Sequence, residues 1–334
     1  MVEETLEKRD RLRRTLAGEP TDRVPVALWR RWPGDDLRSA DFAQAVIDFQ
    51  QRYDWDIVVL CPYSAYGVVD YGAFTTWEAD LSGDRVVTKS PVTRSLAWTE
   101  LRVLDPMRGE LGKYLTTVQF VTEAVSDAPV VAAVYSPLAQ ARLLAGDLAI
   151  RNMRTHPARL RTGLNTLTET TLLFLESLKR TAIEGILYVV DSADYSLMTK
   201  EEYVNIGLPY DRKILDALPE SWWLNTLQIS GPAPMFEFLK TYPMPLICWD
   251  LHESKPDLDK ALALSEKKVL MTGLSPEAHL HRGTPQSIGS VARSQITLAG
   301  GRRLLLAAGG AVPVTSPVSN LRAVRSAVES ATLL

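Results

Sequence analysis

Arg30, Asp191, Gln228, Asp250 and His252 each stand at or just past the end of a short apolar run. Tyr66 and Asp70 follow another such run. Together they offer a cation, carboxylates, an imidazole, an amide and a phenol. Around one cavity that set would bind an acidic or hydrogen-bonding small molecule and move protons on it. The expected catalytic groups are Asp250, His252 and Asp191, and the expected substrate contacts are Arg30, Tyr66, Asp70 and Gln228. Histidine is the side chain best tuned to proton transfer near neutrality, and an arginine fork matches carboxylates well. Plainer roles stand beside these. Asp250 is suited to capping a helix, His252 to a surface loop, and Arg30 with Arg31 to simple solvation.

Alternation along strands groups these residues. Cys248, Asp250 and His252 are two apart and share a face, as do Val26, Leu28 and Arg30, and Thr226, Gln228 and Ser230. Other candidates are weaker. Asp35 and Asp36 follow Pro33-Gly34 and read as a helix entry. His279 and His281 have the spacing of a metal pair, but they lie past Pro276 in a helical or loop segment, where a non-metal role is favoured. No metal and no cofactor is expected. Cys61 and Cys248 lie inside apolar runs and read as buried thiols.

The elements that must carry these side chains are eight apolar runs: Val24–Trp29, Asp56–Cys61, Val130–Ser136, Gly185–Asp191, Trp222–Gln228, Leu246–Asp250, Val269–Gly273 and Leu304–Gly309. Near-continuous apolar strands separated by helix-like stretches argue for a parallel sheet covered on both faces. Eight of them predict an α/β fold, a (β/α)8 barrel whose chemistry sits at the C-terminal strand ends. Helices are expected over residues 3–17, 38–53, 138–150, 156–181, 199–217, 254–266, 284–298 and 316–330. Thr199 with Glu202 forms a capping-box pattern. Residues 62–108 read as an insertion at the barrel mouth, with a hairpin turning through Leu81–Asp84. Residues 1–334 are expected to form a single barrel domain.

The 334 residues carry a net charge of -3 without a basic patch, so a nucleic-acid partner is not expected. No apolar run approaches the roughly 18 residues of a membrane span. The charged N-terminal stretch lacks a signal peptide's apolar core, and a cytoplasmic location is expected.

Three stretches carry a resemblance to a known family: Arg9–Arg30, Glu201–Leu215 and Met271–Glu329. They resemble the uroporphyrinogen decarboxylase superfamily in its opening helix, Gly-Glu-x-x-Asp-Arg turn and first strand. A helix with a Pro-Tyr step, a Gly-x-x-Pro loop, a glycine-rich last strand and a closing helix are also similar. The resemblance implies a distorted (β/α)8 barrel, with an N-terminal helical extension, and a homodimer. It also implies a lyase-type decarboxylation or proton-transfer reaction on a carboxylate-bearing small molecule, tetrapyrroles of porphyrin biosynthesis among them. In that reading Arg30 anchors a substrate carboxylate and Asp250 with His252 forms an acid–base pair. Asp191 or Asp70 supplies a second carboxylate, and Tyr66 and Gln228 donate hydrogen bonds.

Departures from the family pattern define alternatives. The decarboxylases carry two first-strand arginines four apart, an Asp after the second strand and a Gly-His-Gly last strand. Here Arg30, Gly34, Pro62 and Gly309-Gly310-Ala311 stand at those places. Corrinoid-dependent methyltransferases of the superfamily hold zinc with His-x-Cys and a later Cys. Here Gln228-Ile229-Ser230 and Gly310 stand there. One alternative is therefore a corrinoid or thiol methyltransferase-like enzyme without that zinc, with a corrinoid protein as partner. Another is a non-catalytic small-molecule-binding barrel. A third branch of the superfamily, without a settled reaction, is similar through Trp29–Asp36, Asp54–Asp56 and Tyr66–Gly72.

Overall fold

The computed structural model describes residues 5–265 and 267–329. Seven strands form one parallel sheet: β1 (Val58–Leu60), β4 (Val130–Tyr135), β5 (Gly185–Val190), β6 (Thr226–Ile229), β7 (Leu246–Cys248), β8 (Val269–Gly273) and β9 (Leu304–Ala307), in that spatial order. The two remaining strands, β2 (Phe74–Thr76) and β3 (Val86–Lys89), make a separate antiparallel hairpin. Every residue of β4 and β5 is buried, as expected for strands covered by helices outside and packed side chains inside.

The eighth run, Val24–Trp29, closes the ring without becoming a regular strand. Val26 forms a lone parallel bridge with Leu306 of β9. Leu306 N–H donates to Pro25 O at 2.8 Å, and Ala27 N–H to Leu306 O at 3.1 Å. Toward β1, Asp56 N–H donates to Val26 O at 2.9 Å. Pro25 has no N–H to offer a ladder. The Val26 N–H goes to the Asp56 carboxylate at 2.8 Å instead of to a strand carbonyl. A side chain thus replaces a strand partner at the seam.

Asp56 is fully buried. Arg11 donates to it at 2.7 Å, and Arg23 at 2.7 and 3.0 Å. Arg11 reaches on to Asp22 at 2.6 and 2.7 Å. The opening helix, Lys8–Ala17, therefore exists to deliver Arg11 beneath the barrel. Gly18, in the left-handed region at φ 75°, ends that helix and turns the chain toward Asp22 and Arg23.

Helices cover the outside: Ser39–Tyr53 before β1, Pro157–Leu178 before β5, Pro285–Leu298 before β9 and Val318–Glu329 at the end. The capping box at Thr199 and Glu202 is formed. The stretch it opens is two helices, Lys200–Ile206 and Leu208–Asp216, because Pro209 cannot donate to the helical ladder. Gly109–Ala124 is a helix that local pattern does not announce. Its N-terminal amide, Glu110 N–H, is held at 2.7 Å by Asp70, a carboxylate 40 residues earlier in the chain. Residues 3 and 4, Glu266 and Ser330, where three expected helices begin or end, lie outside the described residues. Among the described residues no helix is long and apolar enough to cross a membrane.

Removing Asp56 would strand two buried guanidinium groups and one amide. Breaking a buried ion pair from one side costs about 3–5 kcal/mol. Asp56→Ala is expected to lower the unfolding free energy by that order in urea denaturation, and a loss below about 1 kcal/mol would refute the role of this carboxylate as the seam. Burial pushes the Asp22 carboxyl up, but its hydrogen bond and charge pairing with Arg11 outweigh this and hold it below its ordinary value. Its contribution is present at neutral pH and is lost as pH falls through that lowered value. Asp22→Asn is expected to flatten the acid limb of stability against pH.

Candidate active site

A cavity of about 810 Å3 opens at the C-terminal ends of the strands. Asp191 enters it just past β5, Gln228 and Ser230 at the end of β6, and Asp250 two residues past β7. The loop after β9 contributes Gly309 and Gly310. Gly309 has φ 72°, and a side chain there would collide with the Trp249 carbonyl and the Asp250 amide. Glycine lets this loop press against the exit of β7. At Gly310 a side chain would meet nothing within 4 Å, so the wall is bare there.

The hairpin insertion builds the facing wall. Its tip places Asp80, Leu81, Ser82 and Asp84 on the cavity. Val314 N–H donates to Leu81 O at 2.7 Å, tying the tip to the last loop. Asp84 accepts from Ser64 N–H at 2.8 Å and pairs with Arg31 at 3.2 Å. Arg31 also donates to the Tyr135 hydroxyl at 3.4 Å. Arg31, Asp84 and Tyr135 were not among the residues expected from sequence. Only the charge pair of Arg31 with a hairpin Asp could have pointed to them, and sequence spacing does not display it.

The structure brings Asp191, Gln228 and Asp250 together and leaves the other expected residues elsewhere. Arg30 shares a face with Leu28 as expected, but that face looks outward. Leu28, Arg30 and Trp32 meet Val46 and Phe49 of the helix Ser39–Tyr53 in one crevice. The Arg30 guanidinium lies 4.4 Å from the Trp32 ring. Where both faces of a strand are buried, alternation separates two sets but does not say which set is inside. Arg31 therefore takes the inward place that Arg30 was expected to fill.

His252 is exposed and does not line the cavity. The strand ends at Cys248, so the period of two ends there as well. Residues 250–253 turn, and His252 N–H donates to Asp250 Oδ1 at 2.9 Å. The His252 Nε2–H donates to Gly273 O at 3.1 Å, and its ring stands edge-on to His279 at 4.7 Å. His279 Nδ1 accepts from Ser275 N–H at 2.9 Å, whereas His281 meets Thr315 at 3.2 Å. His279 and His281 thus serve different partners. Tyr66 is buried between β4 and the helix Pro157–Leu178, donating to Ala133 O at 2.8 Å and packing on Tyr114 at 4.8 Å. Asp70 holds the amide of Glu110, as described above.

The electrostatics of the wall are lopsided. Asp80, Asp84, Asp191, Asp250, Glu253 and Glu277 line the cavity, and among the described residues Arg31 is the one basic side chain lining it. Arg31 is already paired with Asp84, and Glu277 with Arg282. Burial pushes the Asp191 carboxyl above its ordinary value, against the pull of Arg142 behind it. Burial also raises Asp250, helped by the neighbouring Glu253. Burial beside Asp250 raises the Cys248 thiol, which keeps it protonated.

At the places where zinc is expected in the superfamily's methyltransferases, Gln228, Ser230 and Gly310 face this cavity. They offer an amide, a hydroxyl and no side chain, which do not suit zinc. Among the described residues no group of three or more His, Cys, Asp or Glu is placed to hold a metal ion.

If Arg30 acts in packing and Arg31 in the cavity wall, their alanine variants should differ. Arg30→Ala is expected to leave ligand affinity at the cavity unchanged, while Arg31→Ala frees Asp84 and changes it at least threefold. Titration of each variant with the same ligand decides this, and an unchanged Arg31 variant would contradict it.

Comparison with known proteins agrees with this architecture. Two relatives are described as methylcobamide:CoM methyltransferase MtbA. The one from Methanosarcina acetivorans is 22% identical over 335 residues, covering 94% of this chain and 95% of the relative. The one from Methanosarcina mazei is 24% identical over 336 residues, with the same coverage of 94% and 95%. Among solved structures, a methyltransferase from Methanosarcina mazei superposes with a TM-score of 0.83 at 17% identity, covering 97% of this chain and 98% of that one. A B12-independent methionine synthase from Shewanella gives 0.58 at 13% identity, covering 94% and 93%. Residues 37–331 match the sequence profile described as uroporphyrinogen decarboxylase (URO-D), and the chain belongs to that family.

Proposed function

We propose that this chain is a methyl-transfer enzyme of the uroporphyrinogen decarboxylase family that works without the family's zinc site. The observation that carries this reading is the charge of the cavity wall. A tetrapyrrole bearing several carboxylates needs cations around it. Here the wall holds Asp191, Asp250, Glu253 and other acids, and its one arginine is taken by Asp84. Two like charges 5 Å apart repel by about 3 kcal/mol at an effective dielectric of 20. Several such contacts at once would prevent binding of a polycarboxylate. The two relatives matched over 94% of the chain are named methyltransferases, which supports the same reading.

A methyl donor such as the methylcobamide of those relatives supplies an electrophilic methyl group. The acceptor's nucleophilic atom takes that group and loses a proton, while the donor keeps the bonding electron pair. In this reading Asp191 and Asp250, which line the cavity, take the proton. Their raised carboxyls are stronger bases than exposed ones, and Gln228 and Ser230 between them orient the acceptor by hydrogen bonds. Activation of the acceptor thus falls to carboxylates.

The test pairs two assays on the purified full-length chain. One follows the absorbance of free methylcobalamin with coenzyme M or cysteamine as acceptor. The other measures carbon dioxide released from uroporphyrinogen without oxygen. Acceptor-dependent loss of methylcobalamin above the protein-free rate, with uroporphyrinogen untouched, is expected. Decarboxylation without methyl transfer would overturn the reading.

The pH dependence follows from the raised carboxyls. The basic form accumulates only above the ordinary carboxylate value of about 4. The rate is expected to rise with pH through a limb above that value. Asp191→Asn should lower kcat/KM at least tenfold and displace the limb; an unaltered profile would remove Asp191 from proton transfer.

A further inference from the structure

We propose that the cavity selects a small organic cation, a substrate carrying an ammonium group. The word substrate rests on the methyl-transfer reading above; the charge preference rests on the wall alone. The site itself is given by the cavity at the barrel mouth, and the carboxylates decide what sign of charge it accepts. Two of the acidic side chains are neutralised in place, Asp84 by Arg31 and Glu277 by Arg282. Asp80, Asp191, Asp250 and Glu253 make no ion pair within 4.0 Å among the described residues, although the charge of Arg142 acts on Asp191, and all four line the cavity.

Their arrangement suits an elongated molecule. Asp191 and Asp250 leave the ends of β5 and β7, with β6 and its Gln228 between them. Neighbouring strands lie about 4.8 Å apart, so the ends of β5 and β7, two strands apart, are separated by on the order of 10 Å across the mouth. An ammonium group meeting one of them gains a charge-assisted hydrogen bond, stronger than a neutral one. The stretch between is furnished by the Gln228 amide and the Ser230 hydroxyl, which bind polar atoms of either kind. Burial disfavours the charged form of both carboxyls, and an incoming ammonium would favour it. An anion would meet the same wall with Arg31 occupied.

Calorimetric titration of the full-length protein at pH 7.5 and low salt tests this, using cadaverine against glutarate. The two probes have five-carbon chains and opposite charge. Cadaverine is expected to bind, with affinity reduced tenfold or more in Asp191→Asn and in Asp250→Asn. Glu253→Gln, at an exposed position, provides a milder threefold loss should either buried variant fold poorly. Glutarate is expected not to bind. Glutarate binding abolished by Arg31→Ala, cadaverine binding indifferent to all three acidic variants, or no cadaverine binding at millimolar concentration would each overturn the proposal. No methyl donor is present in the titration. A protein that binds cadaverine yet transfers no methyl group keeps the charge assignment and loses the methyl-transfer reading. Glutarate binding alongside active methyl transfer removes the charge assignment and keeps the methyl-transfer reading.

Discussion

The barrel depends on one buried carboxylate. Asp56 stands where two strands should pair, and it accepts from the Val26 amide, from Arg11 and from Arg23. A buried carboxylate is tolerated only when nearly every lone pair is occupied and its charge is met. This constraint explains the order of the first 56 residues: a helix to bring Arg11, a glycine to turn, an Asp-Arg step, and a run beginning with Val24 and Pro25. The ring closes because the chain's beginning is pinned by charge where its hydrogen-bond ladder fails. Strand ends on the opposite rim then fall into place around a single opening.

Much of this was legible in the residues. Apolar runs at Val130 and Gly185 mark strands because no charged residue interrupts them, and the capping pattern at Thr199 marks a helix start. The hairpin through Leu81–Asp84 is legible for the same reason, since its turn chemistry is local. What stayed hidden was non-local. The helix Gly109–Ala124 is held at its start by Asp70, a residue no window around Gly109 contains. Arg30 and Arg31 are adjacent, and parity assigns them to opposite faces, but the inward face is set by where the helix Ser39–Tyr53 packs. His252 fell out of register because its strand ended sooner than the apolar pattern did.

The cavity sets acidic and hydrogen-bonding groups into the framework of the uroporphyrinogen decarboxylase family. Gln228, Ser230 and Gly310 face inward at places where the superfamily's methyltransferases are expected to carry metal ligands. They offer an amide, a hydroxyl and a bare stretch of backbone. Around them the acids accumulate, with Asp191 and Asp250 pushed toward protonation by burial. A metal site and an acidic wall answer a similar demand, since each can make a reluctant nucleophile give up its proton.

The hairpin tip ties geometry to charge. Asp84 holds the Ser64 amide and the Arg31 guanidinium with the same carboxylate, while Leu81 grips the last loop through Val314. Withdrawing Asp84 from the mouth would leave the positive charge of Arg31 uncompensated there. The net charge at the mouth would rise by one elementary unit, so the seating of the insertion helps set the sign of what the opening attracts.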